Sequence, residues 1–309
     1  MGGGARVVTV AAPYPRVSAA RVARAYFELT KPRIVSLVLF TGLPALVLAG
    51  GHSLSPRVFW GALVGIALSA ASAAAFNHYF DRDIDALMVR TRSRPLPAGV
   101  LPPSAAAALA LTLAWLSWVV LCVACNPYSA WIAMISIFYY AIVYTVWLKR
   151  RTPQNIVIGG AAGASAPLIA WVAATGRLEL PAVLMAGIVF LWTPPHFWAL
   201  SLFRRDDYLR ADLPMLPVTH GEPATRKQIL VYSIVLVLVS LAVAPLAGLG
   251  IVTWVAALAL GGWFVLEAWR LERGPSVPRA MSLFRFSILY LFVLFLAMTL
   301  DAWWHVHGS

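Results

Sequence analysis

Nine stretches of this sequence stay apolar for about 20 residues at a time, the length a helix needs to cross a lipid bilayer. They lie near residues 34–50, 57–77, 104–124, 128–148, 155–175, 181–203, 228–247, 250–270 and 284–304. The expected fold is therefore all-α, a polytopic membrane protein with nine transmembrane helices around a central cavity. Composition agrees, because hydrophobic residues make up 61% of the 309 and charged residues only 12%, against about 25% charged in a water-soluble domain. One transmembrane domain over 31–309 would follow a tail over 1–30.

The Lys and Arg positions set the expected orientation, since basic residues near helix ends stay cytoplasmic. With the amino terminus inside, only Arg57 and Arg177 of the 24 basic residues fall in outer loops. The formal net charge of +12 thus reads as membrane topology, and nucleic acid is not an expected partner. The lipid bilayer is.

The tail offers no cleaved signal, because "VVTVAAP" is broken by proline and lacks a basic-then-apolar layout. "MGGGAR" has Arg6 where a myristoylation site wants Ser or Thr. Residues 17–29 alternate with helical period, Val22, Ala25, Tyr26 and Leu29 on one face and Arg21, Arg24 and Glu28 on the other. That pattern predicts an interfacial helix leading into the first span. Cys122 and Cys125 read as small packing residues, and "HVH" at 305–307 as a frayed outer tail rather than a metal site.

Charge is concentrated elsewhere. Asp81, Asp83, Asp85, Asp206, Asp207 and Asp212 occupy two short stretches that follow the second and sixth spans, so both emerge on the same expected cytoplasmic side. On a helix continuing past the lipid, Asn77, Asp81 and Asp85 recur at every fourth residue and share a face, each about 6 Å from the next, while Asp83 points away. Such an oxygen-only ladder suits Mg²⁺, which keeps several waters and binds phosphate oxygens. The same ridge continues back through Gly61, Gly65, Ser69 and Ala73, small residues where another helix or a ligand can come close. Arg90, Arg92 and Arg94 stand on the following loop, and guanidinium groups bind phosphate through paired hydrogen bonds. Acidic groups for a metal beside basic groups for phosphate describe a diphosphate site, with Lys31 at the mouth of the first span a further candidate.

The second stretch, "TPPHFWALSLFRRDDYLRADLPMLP", adds depth. On one continuous helix, His196 and Asp207 would share a face, with His196 roughly 16 Å further into the membrane. Pro194 and Pro195 are expected to kink that helix and free backbone groups to line a cavity. The arrangement suggests a metal-phosphate head at the interface and an acceptor lower down.

These residues resemble a known family. "NHYFDRDIDALMVRTRSRPLP" is similar to the first acidic signature of the intramembrane prenyltransferases, the UbiA superfamily, and "RRDDYLRADLPMLPV" to the second. "LTKPRIV", "NIVIGGAAGASAPLIAW" and "TPPHFWAL" resemble the branch of that superfamily that farnesylates haem. The resemblance implies that Mg²⁺ and a prenyl diphosphate are held by Asn77, Asp81 and Asp85 on one side and Asp206 and Asp207 on the other. Lys31, Arg90 and Arg94 would lie near the diphosphate, and Asn155 and His196 near the acceptor. Asp206 and Asp207 are adjacent where the wider superfamily spaces two Asp by four, so which of them, or Asp212, takes the metal stays open.

The implied reaction is ionisation of farnesyl diphosphate, with Asp81, Asp85, Arg90 and Arg94 stabilising the charge of the leaving diphosphate. A dry cavity then keeps water from the allylic cation. Tyr139, Tyr140, Tyr144, Trp192 and Phe197 are aromatic faces available to such a cation. The implied acceptor is a vinyl group of haem b, a substrate rather than a fixed cofactor, and the implied downstream partner is a haem A-forming enzyme. The alanine- and arginine-rich composition points to a bacterial inner membrane as the expected location. A quinone- or chlorin-type acceptor is the alternative within the family. A secondary transporter is the alternative outside it, but transporters place charge mid-span on broken helices.

Overall fold

A computed structural model describes residues 18–307. The readings made on residues 1–17, including Arg6, and on the side chain of His307 lie outside the described residues. Among those described, secondary structure is helical throughout, and nine helical spans are long and apolar enough to cross a membrane.

The order is α1 (Ala19–Leu29), α2 (Pro32–Gly50), α3 (Pro56–Leu87), α4 (Pro103–Ala124) and α5 (Pro127–Phe138), which continues as a π-helical segment over Tyr139–Leu148. Then follow α6 (Asn155–Gly163), α7 (Ser165–Thr175), α8 (Leu180–Phe203), α9 (Arg205–Arg210), α10 (Leu216–Thr219), α11 (Gly221–Leu246), α12 (Ile251–Arg273) and α13 (Val277–His307). The starts are written into the sequence. Ser55 accepts a hydrogen bond from the Val58 amide ahead of Pro56, and Asn126 accepts one from the Ser129 amide ahead of Pro127. A capping oxygen satisfies one orphan amide, and proline at the first helical position removes another.

The helices close by small-residue contacts, since lipid gives apolar faces no reason to leave it. Along α3, Gly61 abuts Ala124 and Gly65 abuts Leu121 of α4. Between them the Ser117 hydroxyl donates to the Gly65 carbonyl at 2.8 Å, and the Ser72 hydroxyl to the Ala110 carbonyl at 2.8 Å. The glycine ridge expected to admit a helix or a ligand admits a helix. Cys125 belongs to the same seam, its Sγ 3.6 Å from the Val58 carbonyl.

α3 runs without a break to Leu87, so the first acidic motif stands on the helix that carries the ridge. α1 buries Ala25 and Leu29 against Leu96, Leu101 and Ala106, and thereby covers the loop that follows α3. At the far end of the bundle, Asp301 of α13 accepts from the Thr253 amide at 2.6 Å and caps α12 from across the interface.

Two spans depart from the sequence reading. The fifth, expected as one helix over 155–175, breaks at Ala164 into α6 and α7, within a run of glycine and alanine that holds a helix weakly. The sixth ends at Phe203, and Arg204 (φ −116°, ψ 19°) separates α8 from α9. The continuous register expected between His196 and Asp207 is therefore lost. α8 runs through Pro194 and Pro195 as one helix, with Gly160 of α6 packed against Thr193 and the Phe190 carbonyl that Pro194 cannot bond.

The Gly61 contact is testable because Ala124 opposes it with a Cβ fixed to its backbone. Gly61→Val is expected to lower stability by about 1–3 kcal/mol, read as a fall in thermal midpoint in detergent. Adding Ala124→Gly should recover most of that loss, and a double variant no more stable than the single one would refute the contact.

Candidate active site

The site begins with a carboxylate buried in the bundle. Asp81 is fully buried and Asp85 nearly so, and an ionised carboxylate in such a place costs several kcal/mol unless it is paired. Cations from two other elements meet them, and a third reaches the neighbouring Asn77. Asp81 Oδ2 accepts from Lys149 Nζ, at the end of the π segment, and from Asn77 Nδ2 at 2.6 Å. Asn77 Oδ1 in turn accepts from Lys31 Nζ at 2.5 Å, and its Nδ2 lies 3.4 Å from Thr145 Oγ1. Asp85 Oδ2 accepts from Arg94 Nη1 at 2.7 Å, while the Asp85 carbonyl accepts from Thr91 Oγ1 at 2.9 Å and ties down the loop that carries Arg94. Asp83 points away, as its place on the helix requires, and pairs with exposed Arg150 through two 2.7 Å contacts.

Two backbone irregularities place the cations. Lys31 has a left-handed backbone (φ 49°) in the junction between α1 and α2, a conformation that costs a residue with a Cβ about 1 kcal/mol or more. In the π segment the Thr145 hydroxyl donates to the Tyr140 carbonyl at 2.8 Å and the Lys149 amide to the Tyr144 carbonyl at 2.9 Å, both five residues back. The wider winding of this segment brings Thr145 to Asn77 and Lys149 to Asp81, and π-helical turns are often found at functional sites. The aromatic rings of this segment pack on their surroundings. Tyr140 and Tyr144 lie 5.3 Å apart, Tyr144 presses on Gly159, and the Tyr139 hydroxyl donates to the Ile158 carbonyl at 3.0 Å.

The second acidic stretch meets the first through the main chain. Buried Asp207 accepts from the Val89 amide at 3.3 Å and from Arg210. Burial pushes the Asp207 carboxyl up, but the Arg210 and Val89 hydrogen bonds prevail and hold it below the usual carboxylate value. Asp206 is exposed and, with Val89, Phe203, Arg204, Asp207 and Arg210, lines a cavity of about 210 Å³. Arg90 is exposed. Asp212 is exposed too, in a left-handed turn (φ 49°).

The candidate residues thus fall into groups. Lys31, Asn77 and Asp81 form one network, Asp85 and Arg94 pair one helical turn further along α3, and Asp206 and Asp207 line a cavity with Val89 of the loop that follows α3. Among the described residues no three His, Cys, Asp or Glu side chains converge as a ready-made metal cage. Asn155 is buried beside this network, its Nδ2 donating to the Thr152 carbonyl at 2.6 Å and its amide pinning the turn behind Lys149. His196 lies apart, hydrogen-bonded to Ser287 of α13. Lys149, Thr145 and Arg210 escaped the sequence reading. The first stands in "LKRRTP" beside two arginines, and only the π turn decides which of the three basic residues faces inward.

Comparison with known proteins decides the family. Residues 38–304 match the model of the UbiA prenyltransferase family.

The chain belongs to the UbiA prenyltransferase family.

Similar curated UbiA relatives include protoheme IX farnesyltransferase 1 of Pseudomonas fluorescens, 50% identical over 90% of this chain and 93% of that protein. The protoheme IX farnesyltransferases of Rhodopseudomonas palustris and Gloeobacter violaceus are 47% and 48% identical, each over 93% of this chain and 92% and 94% of theirs. Among solved structures, a digeranylgeranylglyceryl phosphate synthase shares the fold with a TM-score of 0.76 at 19% identity, over 91% of this chain and 99% of its own. A UbiA homologue from Archaeoglobus fulgidus bound to GPP and Mg²⁺ aligns with a TM-score of 0.60 at 18% identity, over 89% and 99%.

If the buried pairs rather than the surface ones serve this UbiA site, two neighbouring basic residues should behave differently. Lys149→Gln is expected to lower kcat/KM for prenyl transfer by about a hundredfold, the scale of losing one preorganised charge. Arg150→Gln removes only a surface pair and should change it less than about threefold. Equal losses in the two variants would contradict the assignment.

Proposed function

We propose that the protein transfers the farnesyl group of farnesyl diphosphate to a vinyl group of haem b, giving haem O and diphosphate, at the expected cytoplasmic face of a bacterial inner membrane. The observation that carries the reaction class is a pair of buried oxygens. Asp81 Oδ1 and Asp85 Oδ1 are sealed from solvent and have no hydrogen-bond partner among the described residues, while the other oxygen of each carboxylate is held by Lys149 or Arg94. The near full-length identity with proteins named protoheme IX farnesyltransferase supports the acceptor.

Those two free oxygens fit Mg²⁺, a hard cation that takes one or two carboxylates plus phosphate oxygens. Asp81 and Asp85 would hold it, with Asn77 positioning Asp81, and Asp206 and Asp207 on the facing side. Mg²⁺ when bound supplies positive charge to phosphate oxygens that become more negative as the carbon–oxygen bond breaks.

The chain itself does the remaining work. Lys149 and Arg94 are already ordered by the carboxylates and Lys31 by Asn77, so they offer donors to the diphosphate without reorganising, which is where electrostatic catalysis is most effective. The bond between the farnesyl C1 and the bridging oxygen then breaks, and both electrons leave with diphosphate. The vinyl π-bond attacks the allylic cation, and water captures the porphyrin-side cation and releases a proton. α1, lying over the loop that carries Arg94, keeps that end of the site closed. The product is the substrate that a haem A-forming enzyme requires, and such an enzyme is the proposed downstream partner.

Incubating purified protein with haem b, farnesyl diphosphate and Mg²⁺ should give a hydroxyfarnesylated haem by mass analysis. Both Asp81→Asn and a chelator are expected to remove the product, by at least about a hundredfold in rate. Folded wild-type protein that leaves haem b unchanged, yet prenylates another aromatic acceptor, would overturn the acceptor assignment.

A further inference from the structure

His196 takes no part in the diphosphate network, yet its surroundings are built. Its ring is buried between Trp192 (centroids 4.3 Å apart, 19° from parallel) and Phe284 of α13 (4.6 Å, 24°), with Phe197 edge-on at 5.1 Å. Both faces are covered, so only the edge of the imidazole is open to a ligand.

One edge nitrogen is committed. His196 Nδ1 lies 2.6 Å from Ser287 Oγ, and Ser287 Oγ also donates to the Phe284 carbonyl at 2.7 Å. A carbonyl only accepts, so it takes the hydroxyl proton, and Nδ1 must then carry the imidazole proton and donate to the serine oxygen. Trp192 Nε1 donates to the Ser287 carbonyl at 2.7 Å and fixes the stack from the other side. Nε2 is left as a bare lone pair with no hydrogen bond among the described residues.

A hydrogen bond that fixes the tautomer and ring orientation of an imidazole is what orients metal-binding histidines. No three His, Cys, Asp or Glu side chains among the described residues gather as a metal site, so an ion needing several protein ligands has no home here. A metal that brings its own equatorial ligands needs only one. We propose that His196 Nε2 coordinates the iron of the haem substrate axially and so fixes the porphyrin for prenyl transfer. The inference rests on the haem acceptor reading above. Trp192, Phe284 and the half-open ring of Phe197 (36% exposed) supply the apolar wall a porphyrin edge requires. Ligation forms a coordination bond only, with no electron or proton transferred.

The test titrates full-length protein in detergent with ferric haem b, reduces it, and reads the iron–histidine stretch by resonance Raman. Wild type should show that band. His196→Gln, which keeps a group able to bond Ser287, should lose it, and His196→Gly should recover a nitrogen-ligated spectrum on adding imidazole. Ser287→Ala should retain the band at a shifted frequency, with haem affinity lowered by about tenfold. Metal-free protoporphyrin should bind wild type more weakly than haem does, and equally to His196→Gln. A band unchanged in His196→Gln, or haem bound to wild type with no nitrogen ligand, overturns the ligand assignment and leaves the acceptor reading standing. Wild type that neither binds haem nor converts it overturns both.

Discussion

Two carboxylates buried side by side on one helix are the interaction on which this architecture depends. An ionised carboxylate is costly in an apolar bundle unless it is paired, and Asp81 and Asp85 each recruit a cation from outside α3. Lys149 comes from the end of the fourth span, Arg94 from the loop after the second, and Lys31, through Asn77, from the mouth of the first. Those pairings converge three segments on the end of α3. Because a cation satisfies only one oxygen of each carboxylate, the other stays available. The cluster is thus held together and left unfinished by the same geometry.

Irregular backbone is concentrated where this cluster needs it. The left-handed Lys31 and the π turn at Tyr139–Leu148 are local costs; the first puts a cation on Asn77 and the second puts one on Asp81. At the far end of the bundle regular helices suffice, and glycine against alanine or serine against a carbonyl closes the seams. Small-residue packing makes the scaffold rigid, and the strained segments at one end use that rigidity to hold charge in place.

Much of this was legible in the sequence. The apolar runs yielded the nine spans, and the spacing of Asn77, Asp81 and Asp85 yielded one face of α3, with Asp83 turned outward to Arg150. Helical periodicity reports such features directly. What escaped it depends on departures from periodicity. Nothing in "LKRRTP" distinguishes Lys149 from Arg150 until the π turn is known, and the glycines of "GGAAGAS" weaken a helix without fixing Ala164 as the break. The register between His196 and Asp207 failed at Arg204 for the same reason, since one residue outside helical geometry resets everything beyond it. Asn155 and His196 stood out through family resemblance. Their contacts, with the turn behind Lys149 and with Ser287, are tertiary and leave no local signal.

The central claim is that the two free carboxylate oxygens exist to receive a metal that carries diphosphate. Its most direct test is calorimetric binding of a non-ionising farnesyl thiodiphosphate with and without Mg²⁺, in wild type and in Asp85→Asn. The account predicts that Mg²⁺ tightens binding by at least about tenfold in wild type, or about 1.4 kcal/mol, and has no such effect in the variant. Binding that is equally tight without metal, or a Mg²⁺ effect that survives Asp85→Asn, would contradict it.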